Sequence, residues 1–249
     1  MAQNLITLFD VPSTTPQPWA PNIWRIRFIL NFKRLPYRTT WVELADVETT
    51  LRSLGAPPSS VRADGRPVYS LPVIVDPRQG QQPVVLSRAD HIAEYLEATY
   101  PARAIFPEGA RAVQSLFVHY VHEVLAKPLL PILVPLSHQR LPERSQAHFP
   151  AGVAVPPPLG AAEREHAWRA AKDQFAFLAA LMDKNAADPA CDGVVVMGRS
   201  VTYADFALCS VLIWIEQVSP RDGWARVRTW DNGRWDRLRA KCREYMDVY

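Results

Sequence analysis

Cysteine is scarce in this chain, and long runs of any one character are missing. Three cysteines, Cys191, Cys209 and Cys242, occur in 249 residues, with no CxxC pair and no zinc-type spacing. An odd count with no secretion-type leader points to free thiols in a reducing cytoplasm, each serving as a small buried hydrophobe. His119, His122 and Glu123 share a helical face, but no fourth ligand is in view, so no metal is expected. No unbroken apolar stretch approaches the ~18 residues that a membrane span needs. Basic residues never run longer than Lys33-Arg34, and the net charge is only +3. A nucleic-acid binder would gather such charge on one element, so neither nucleic acid nor membrane is an expected partner. The first ten residues, Met1 to Asp10, lack a charged start and a long apolar segment. They read as a first β-strand rather than a signal peptide.

What is present is a large apolar and aromatic complement. Hydrophobic residues make up 48%, with eight Trp, nine Phe and eight Tyr. That excludes wholesale disorder and suits one large domain or two ordinary ones. Residues 1–100 alternate short strand-like and helical runs. Leu5–Phe9 reads as a strand, and Asn22–Phe32 as a helix that Pro21 opens at its first position. Arg38–Leu44 alternates as a strand does, and Asp46–Leu54 forms a short helix ended by Gly55. Residues 55–70 read as loop, then Val73–Val75 and Val84–Leu86 as two strands joined by the turn Asp76–Pro83. Helix His91–Ala98 closes the unit, giving the order βαβ then ββα.

Past Pro101–Pro107 the texture becomes helical, over residues 108–249. Val113, Leu116, Phe117, Tyr120, Val121 and Val124 form one apolar stripe. Residues 135–160 read as a Pro-rich loop, and Ala161–Lys184 as a long helix with Trp168, Phe175, Leu178 and Leu181 inward. Thr202 and Asp205 are spaced as a capping box, with the apolar helix Phe206–Ile215 behind them and a terminal helix at Trp230–Tyr245. Trp168, Trp214, Trp230 and Trp235 are assigned to the core.

Three features coincide: Ser70-Leu71-Pro72-Val73-Ile74, with a proline just before a strand, the Pro101–Pro107 connection, and the Thr202–Asp205 box. In this order and spacing the chain resembles the glutathione transferase superfamily along essentially its whole length. That resemblance implies an α/β thioredoxin-like N-terminal domain over residues 1–100, followed by an all-helical domain over residues 108–249. The segments PWAPNIWRIRFILNFKRLPY and DGRPVYSLPVIVDP look most like a fungal serine-type class, often called FuA or etherase-like. The resemblance implies that Leu71 lends its backbone to the cysteinyl part of glutathione, beside a cis Pro72. It also implies a homodimer and a cleft for aromatic or polyphenolic hydrophobes, for which Trp19, Trp24 and Tyr120 are the candidates.

The chain departs from the family pattern at two places. Where the serine-type class carries the hydroxyl that stabilises the thiolate, this chain has Ala20. The Asn22 amide could donate in its place, and Ser13, Thr14 and Thr15 in the preceding loop are the other candidates. No cysteine is near, which excludes thiol–disulfide chemistry of the omega type. The family's acidic residue and following hydroxyl, which hold the γ-glutamyl group, fall on Arg88 and Ala89. Ser87 is one residue early and Asp90 one late; a shift of register would let Ser87 cap the helix and still reach glutathione, which keeps it a candidate contact. Arg88 would face the γ-glutamyl ammonium, so glutathione is expected to bind weakly. Two functions follow from the resemblance: a detoxifying transferase with weak or altered glutathione chemistry, or a non-catalytic, ligandin-type carrier of aromatics.

Overall fold

The computed structural model describes residues 5–78, 81–149 and 155–249. Its N-terminal part is a mixed sheet of strands β1 (Ile6–Asp10), β2 (Tyr37–Trp41), β5 (Val73–Asp76) and β6 (Val84–Ser87), in the order β2-β1-β5-β6. Helix α1 (Pro21–Phe32) carries the chain from β1 to its parallel neighbour β2, while the β1–β5 and β5–β6 pairs are antiparallel. All of β1 is buried because successive side chains enter opposite layers. Leu8 joins the main core with α1 and α3 (Ala89–Thr99), and Phe9 joins a smaller one with Val47 and Leu51 of α2 (Val47–Ser53). Between α2 and β5, within the segment expected to be loop, β3 (Ser60–Val61) and β4 (Pro67–Val68) form a small hairpin. Gln79 and Gly80 of the expected turn before β6 lie outside the described residues.

The rest is helical. Helix α4 (Arg111–Tyr120) runs through a π-turn at Val121–Leu125 and a 3-10 turn at Lys127–Leu129 into α5 (Leu130–His138). Pro128 and Pro131 have no N–H to give a regular ladder, and the wider and tighter turns absorb them. The whole run Arg111–His138 is long and apolar enough to cross a membrane by length and composition, with a mean hydropathy of 1.3 over its best window. Counting unbroken apolar residues misses this. In the fold the run packs against α7 (Ala161–Met182) and α8 (Tyr203–Val218). Helix α6 (Glu143–His148) follows α5, so part of the expected loop is helical, and residues 150–154 of it lie outside the described set. Short α9 (Ala225–Val227) and α10 (Trp230–Lys241) end the chain, with Asp231, Asn232 and Gly233 left-handed, so α10 runs regularly only after Gly233.

The α4 stripe is divided: Val121 is buried, while Val113, Leu116 and Val124 are exposed; of the α7 residues expected inward, Trp168, Phe175 and Leu178 are buried and Leu181 is exposed. Amphipathic spacing identifies a face and not its partner.

The two parts meet where α1 packs on α8. Eight consecutive residues of α1, Ile23 to Leu30, are buried, so this helix is enclosed by the sheet and by α8. The first turn of α8 has its donors matched one by one, as a buried helix end requires. Tyr203 N–H donates to the Ile105 carbonyl (3.0 Å) and Ala204 N–H to Gln114 Oε1 (2.7 Å). The Asp205 carboxylate accepts Thr202 N–H (2.8 Å), Thr202 Oγ1–H (2.9 Å) and Val196 N–H (2.8 Å). Asp205→Ala leaves several of these donors unpaired in the interior. It should cost about 2–4 kcal/mol, seen as a fall of several degrees in melting temperature, whereas Thr49→Ala on the exposed face of α2 should change stability by less than about 0.5 kcal/mol.

Candidate functional site

The N-terminus of α1 sets the geometry of a cleft of about 370 Å³ lined by Trp19, Ala20, Asn22, Tyr69, Leu71 and Phe149 among others. Pro21 has no N–H to offer, and Ile23 and Trp24 N–H both donate to the Ala20 carbonyl (3.1 and 3.0 Å). Asn22 N–H is therefore the first-turn donor left open among the described residues. Ala20, at the N-cap, supplies no side-chain cap. Across the cleft the Leu71–Pro72 bond is cis. Leu71 precedes β5 and stands outside the sheet ladder, so its N–H and C=O are open to pair with an extended peptide.

The Asn22 amide has a defined orientation. Its Oδ1 accepts from Arg25 Nη2 at 2.7 Å. A guanidinium only donates, so the oxygen must face it and the Nδ2 group must face away, as a donor. Trp19 Nε1, beside Ala20, is buried without a partner among the described residues.

At the N-terminus of α3, Ser87 and Ala89 are buried and Arg88 stands at the N-cap in a left-handed conformation (φ 69°). Arg88 Nη2 donates to Asp90 Oδ2 at 2.9 Å. Burial pushes the Asp90 carboxyl up, but its own N–H and Arg88 pull it further down, and the sum lies below the usual carboxylate range. Arg88 is therefore not a bare cation. The acid expected before the helix stands one residue past Ala89, on the same turn, and balances it.

Trp24 is not a cleft residue: it is fully buried, and its Nε1 donates to the Pro18 carbonyl at 2.6 Å, so it holds the loop rather than a ligand. Tyr120 is also apart from Trp19. It lines an outward groove of about 430 Å³ with Phe117, Phe177 and Leu181, and its hydroxyl lies 3.2 Å from Gln174 Oε1. Tyr69 and Phe149 take the places in the cleft that were assigned to Trp24 and Tyr120; Tyr69 lies in the segment DGRPVYSLPVIVDP, two residues before Leu71, which is a signal for it, while Phe149 sits in no motif. All three cysteines are free thiols. Among the described residues no group of His, Cys, Asp or Glu is placed to hold a metal.

A second cavity, about 770 Å³, shares Asn22 with the cleft and continues between α1, α3 and α4, lined by Arg25, His122 and Tyr203 among others. His122 sits on the π-turn, where the helix is locally widened. Burial, reinforced by the charge of Arg25, pushes its imidazole down to about 3.

Comparison with known proteins accords with this architecture. The family model for "Glutathione S-transferase, N-terminal domain" matches residues 19–99, and that for "Glutathione S-transferase, C-terminal domain" matches residues 112–245. The chain therefore belongs to the glutathione S-transferase family. Among solved structures it is similar to glutathione transferase GSTFuA3 from Phanerochaete chrysosporium, at 33% identity and a TM-score of 0.85, over 98% of both chains. It is equally similar to CsGST63524 of Ceriporiopsis subvermispora, solved in complex with glutathione (33% identity, TM-score 0.85, 99% of both chains). A curated relative, the glutathione S-transferase-like protein ustS of Aspergillus flavus, is 27% identical over 92% of this chain and 87% of its own length.

The state of His122 gives a pH dependence. Its ordinary value of 6.5 applies to the unfolded chain and about 3 to the folded one. Between those values only the unfolded chain takes up the proton, so this group's effect on stability grows worse as pH falls below 6.5. Between pH 7 and 5 the loss reaches about 2 kcal/mol. Urea unfolding at the two pH values should show His122→Gln losing less stability than the unaltered protein; equal losses would mean that His122 is free to titrate in the fold.

Proposed function

We propose that this protein is a glutathione transferase whose thiolate-stabilising serine has been replaced by Ala20, and that it handles aromatic or polyphenolic hydrophobes in the cleft beside that position. The observation that carries this reading is the Asn22 amide: Arg25 occupies its Oδ1, which leaves Nδ2 as a donor on a residue that lines the cleft together with Ala20. With the Asn22 N–H, it supplies hydrogen bonds to a thiolate where no hydroxyl is present. Leu71 pairs with the cysteinyl backbone of glutathione. The α3 N-terminus, with Asp90 as the acid, receives the γ-glutamyl end. Ala89 offers no hydroxyl there, so glutathione binds more weakly than it would to a serine. Trp19, Tyr69 and Phe149 form the apolar wall for the second substrate. A relative solved with glutathione bound supports the first half of this reading. The three free thiols suit a cytoplasmic site of detoxification.

The missing hydroxyl favours a second reading, a carrier that binds aromatics without turnover. An activated aryl halide, assayed over a range of glutathione concentrations, separates the two. A thiolate hydrogen bond is worth about 1.5–3 kcal/mol, so Ala20→Ser should raise the conjugation rate at neutral pH about 10-fold or more. Asn22→Ala should lower the basal rate. No turnover by the unaltered protein, together with no gain in Ala20→Ser, would leave the carrier.

We also propose that the outward face of α4 and α7 pairs with a second copy of the chain. Val113, Leu116, Phe177 and Leu181 are large, apolar and exposed there, flanking the groove at Tyr120. Such a contiguous patch is unusual on a monomer. Leu116→Glu with Phe177→Glu should convert a dimer to a folded monomer in sedimentation; a persistent dimer would move the interface elsewhere.

A further inference from the structure

Two arginines stand where the backbone favours glycine, and both line one cavity. Helix α1 ends in a Schellman turn: Arg34 N–H donates to the Asn31 carbonyl (3.0 Å) and Leu35 N–H to the Leu30 carbonyl (2.9 Å). The residue after the C-cap of such a turn is left-handed, a conformation that glycine adopts at no steric cost, yet Arg34 holds it at φ 57°. Arg103, in the connection between α3 and α4, is left-handed too, at φ 56°. Lys33 brings the two together. Its ammonium pairs with Glu97 and also donates to the carbonyls of Tyr100 (2.8 Å) and Arg103 (3.2 Å). Both arginines line a cavity of about 560 Å³ beside the C-terminal end of α1. Among the described residues neither guanidinium forms an ion pair or a hydrogen bond; that of Arg103 lies 5.1 Å over the Phe32 ring.

The acids of the same wall, Glu244 and Asp247, are engaged by tyrosines instead. Tyr249 Oη donates to Asp247 Oδ2 at 3.2 Å, and burial with a hydrogen bond to Glu244 pushes the Tyr245 hydroxyl up to about 12. The wall is itself held in place. Asn31 Nδ2 donates to the carbonyls of Tyr245 (2.8 Å) and Asp247 (2.9 Å), and Thr39 N–H to that of Tyr249 (2.6 Å). We propose that this cavity binds a phosphate monoester carried on an aromatic ring, with Arg34 and Arg103 as its two anchors. Two guanidinium forks match a doubly charged oxyanion. Glycine would relieve both backbones, and what it could not supply is the guanidinium. Tyr37, Tyr245 and Tyr249 offer aromatic surface to the body of the ligand. The cavity shares no residue with the cleft at Ala20 and Leu71 or with the cavity between α1, α3 and α4. Asn31 lies about 15 Å along α1 from Pro21, at a rise of about 1.5 Å per residue.

Calorimetry on the full chain tests this, with 1-naphthyl phosphate, 1-naphthol and inorganic phosphate as probes. The ester should bind at least about ten-fold more tightly than either fragment, the size of one charge-assisted contact. Arg34→Gly and Arg103→Gly each suit the local backbone, so both variants should fold, Arg34→Gly with an unchanged or higher melting temperature. Each should lose most of the preference for the ester over naphthol, and the double variant all of it. Saturating glutathione should leave ester binding in place. Adenosine monophosphate, run beside the naphthyl ester, tells the source: tighter binding marks a nucleotide site and weaker binding a phenol phosphate site, and either supports the proposal. Equal affinities for ester and naphthol in the unaltered protein, a preference that survives in the double variant, a lower melting temperature in Arg34→Gly, or displacement of the ester by glutathione would each overturn it.

Discussion

The structure depends on the enclosure of α1. A helix buried along eight successive residues, by a sheet on one side and α8 on the other, has no solvent face on which to place charge. It nevertheless carries Arg25 and Arg27, and each has to be satisfied inside. Arg27 is answered by Asp10 at the end of β1, which ties the helix to the strand that launches it. Arg25 is answered by a tyrosine at the start of α8 and by an asparagine of its own first turn. The helix is thus fixed in rotation as well as in position. Its N-terminus, with Ala20 and Asn22, faces Leu71 across the cleft for the same reason.

That arrangement links two cavities that would otherwise be independent. A single hydrogen bond from Arg25 orients the Asn22 amide, and with it the donor available where a serine is missing. The charge of Arg25 also lowers the affinity of His122 for protons. Anything that neutralises Arg25 therefore acts on the cleft through Asn22 and on the interior through His122. The interlocked donors at the start of α8 hold the other side of this unit in place, through Ile105, Gln114 and Asp205.

Most of the fold was legible in the sequence, because its signals are local. Pro21 at the start of α1, the proline before β5 and the Thr202–Asp205 spacing each dictate a backbone event within a few residues. What the sequence concealed is relational. The α4 stripe has helical spacing, yet spacing says nothing about whether the partner is the core or another molecule, and Val113 and Leu116 face outward. Trp24 and Tyr120 are aromatic neighbours of the motif by sequence or by helix, but their side chains point elsewhere. Arg88 read as a base in an acid's place. Its pairing with Asp90 depends on the left-handed turn at residue 88, which composition does not reveal. Nothing in the sequence singles out Arg25; its burial against neutral partners shows only in the packed structure.

The central claim is that Asn22, held by Arg25, does for a bound thiolate what the absent hydroxyl would do. Its most direct measure is the pKa of the glutathione thiol in the complex, followed by ultraviolet difference absorbance of the thiolate. The account predicts a value below that of free glutathione, a further fall of about 1–2 units in Ala20→Ser, and a rise towards the free value in Asn22→Ala. An unperturbed thiol in the unaltered protein, or a value that Asn22→Ala leaves where it was, would contradict it.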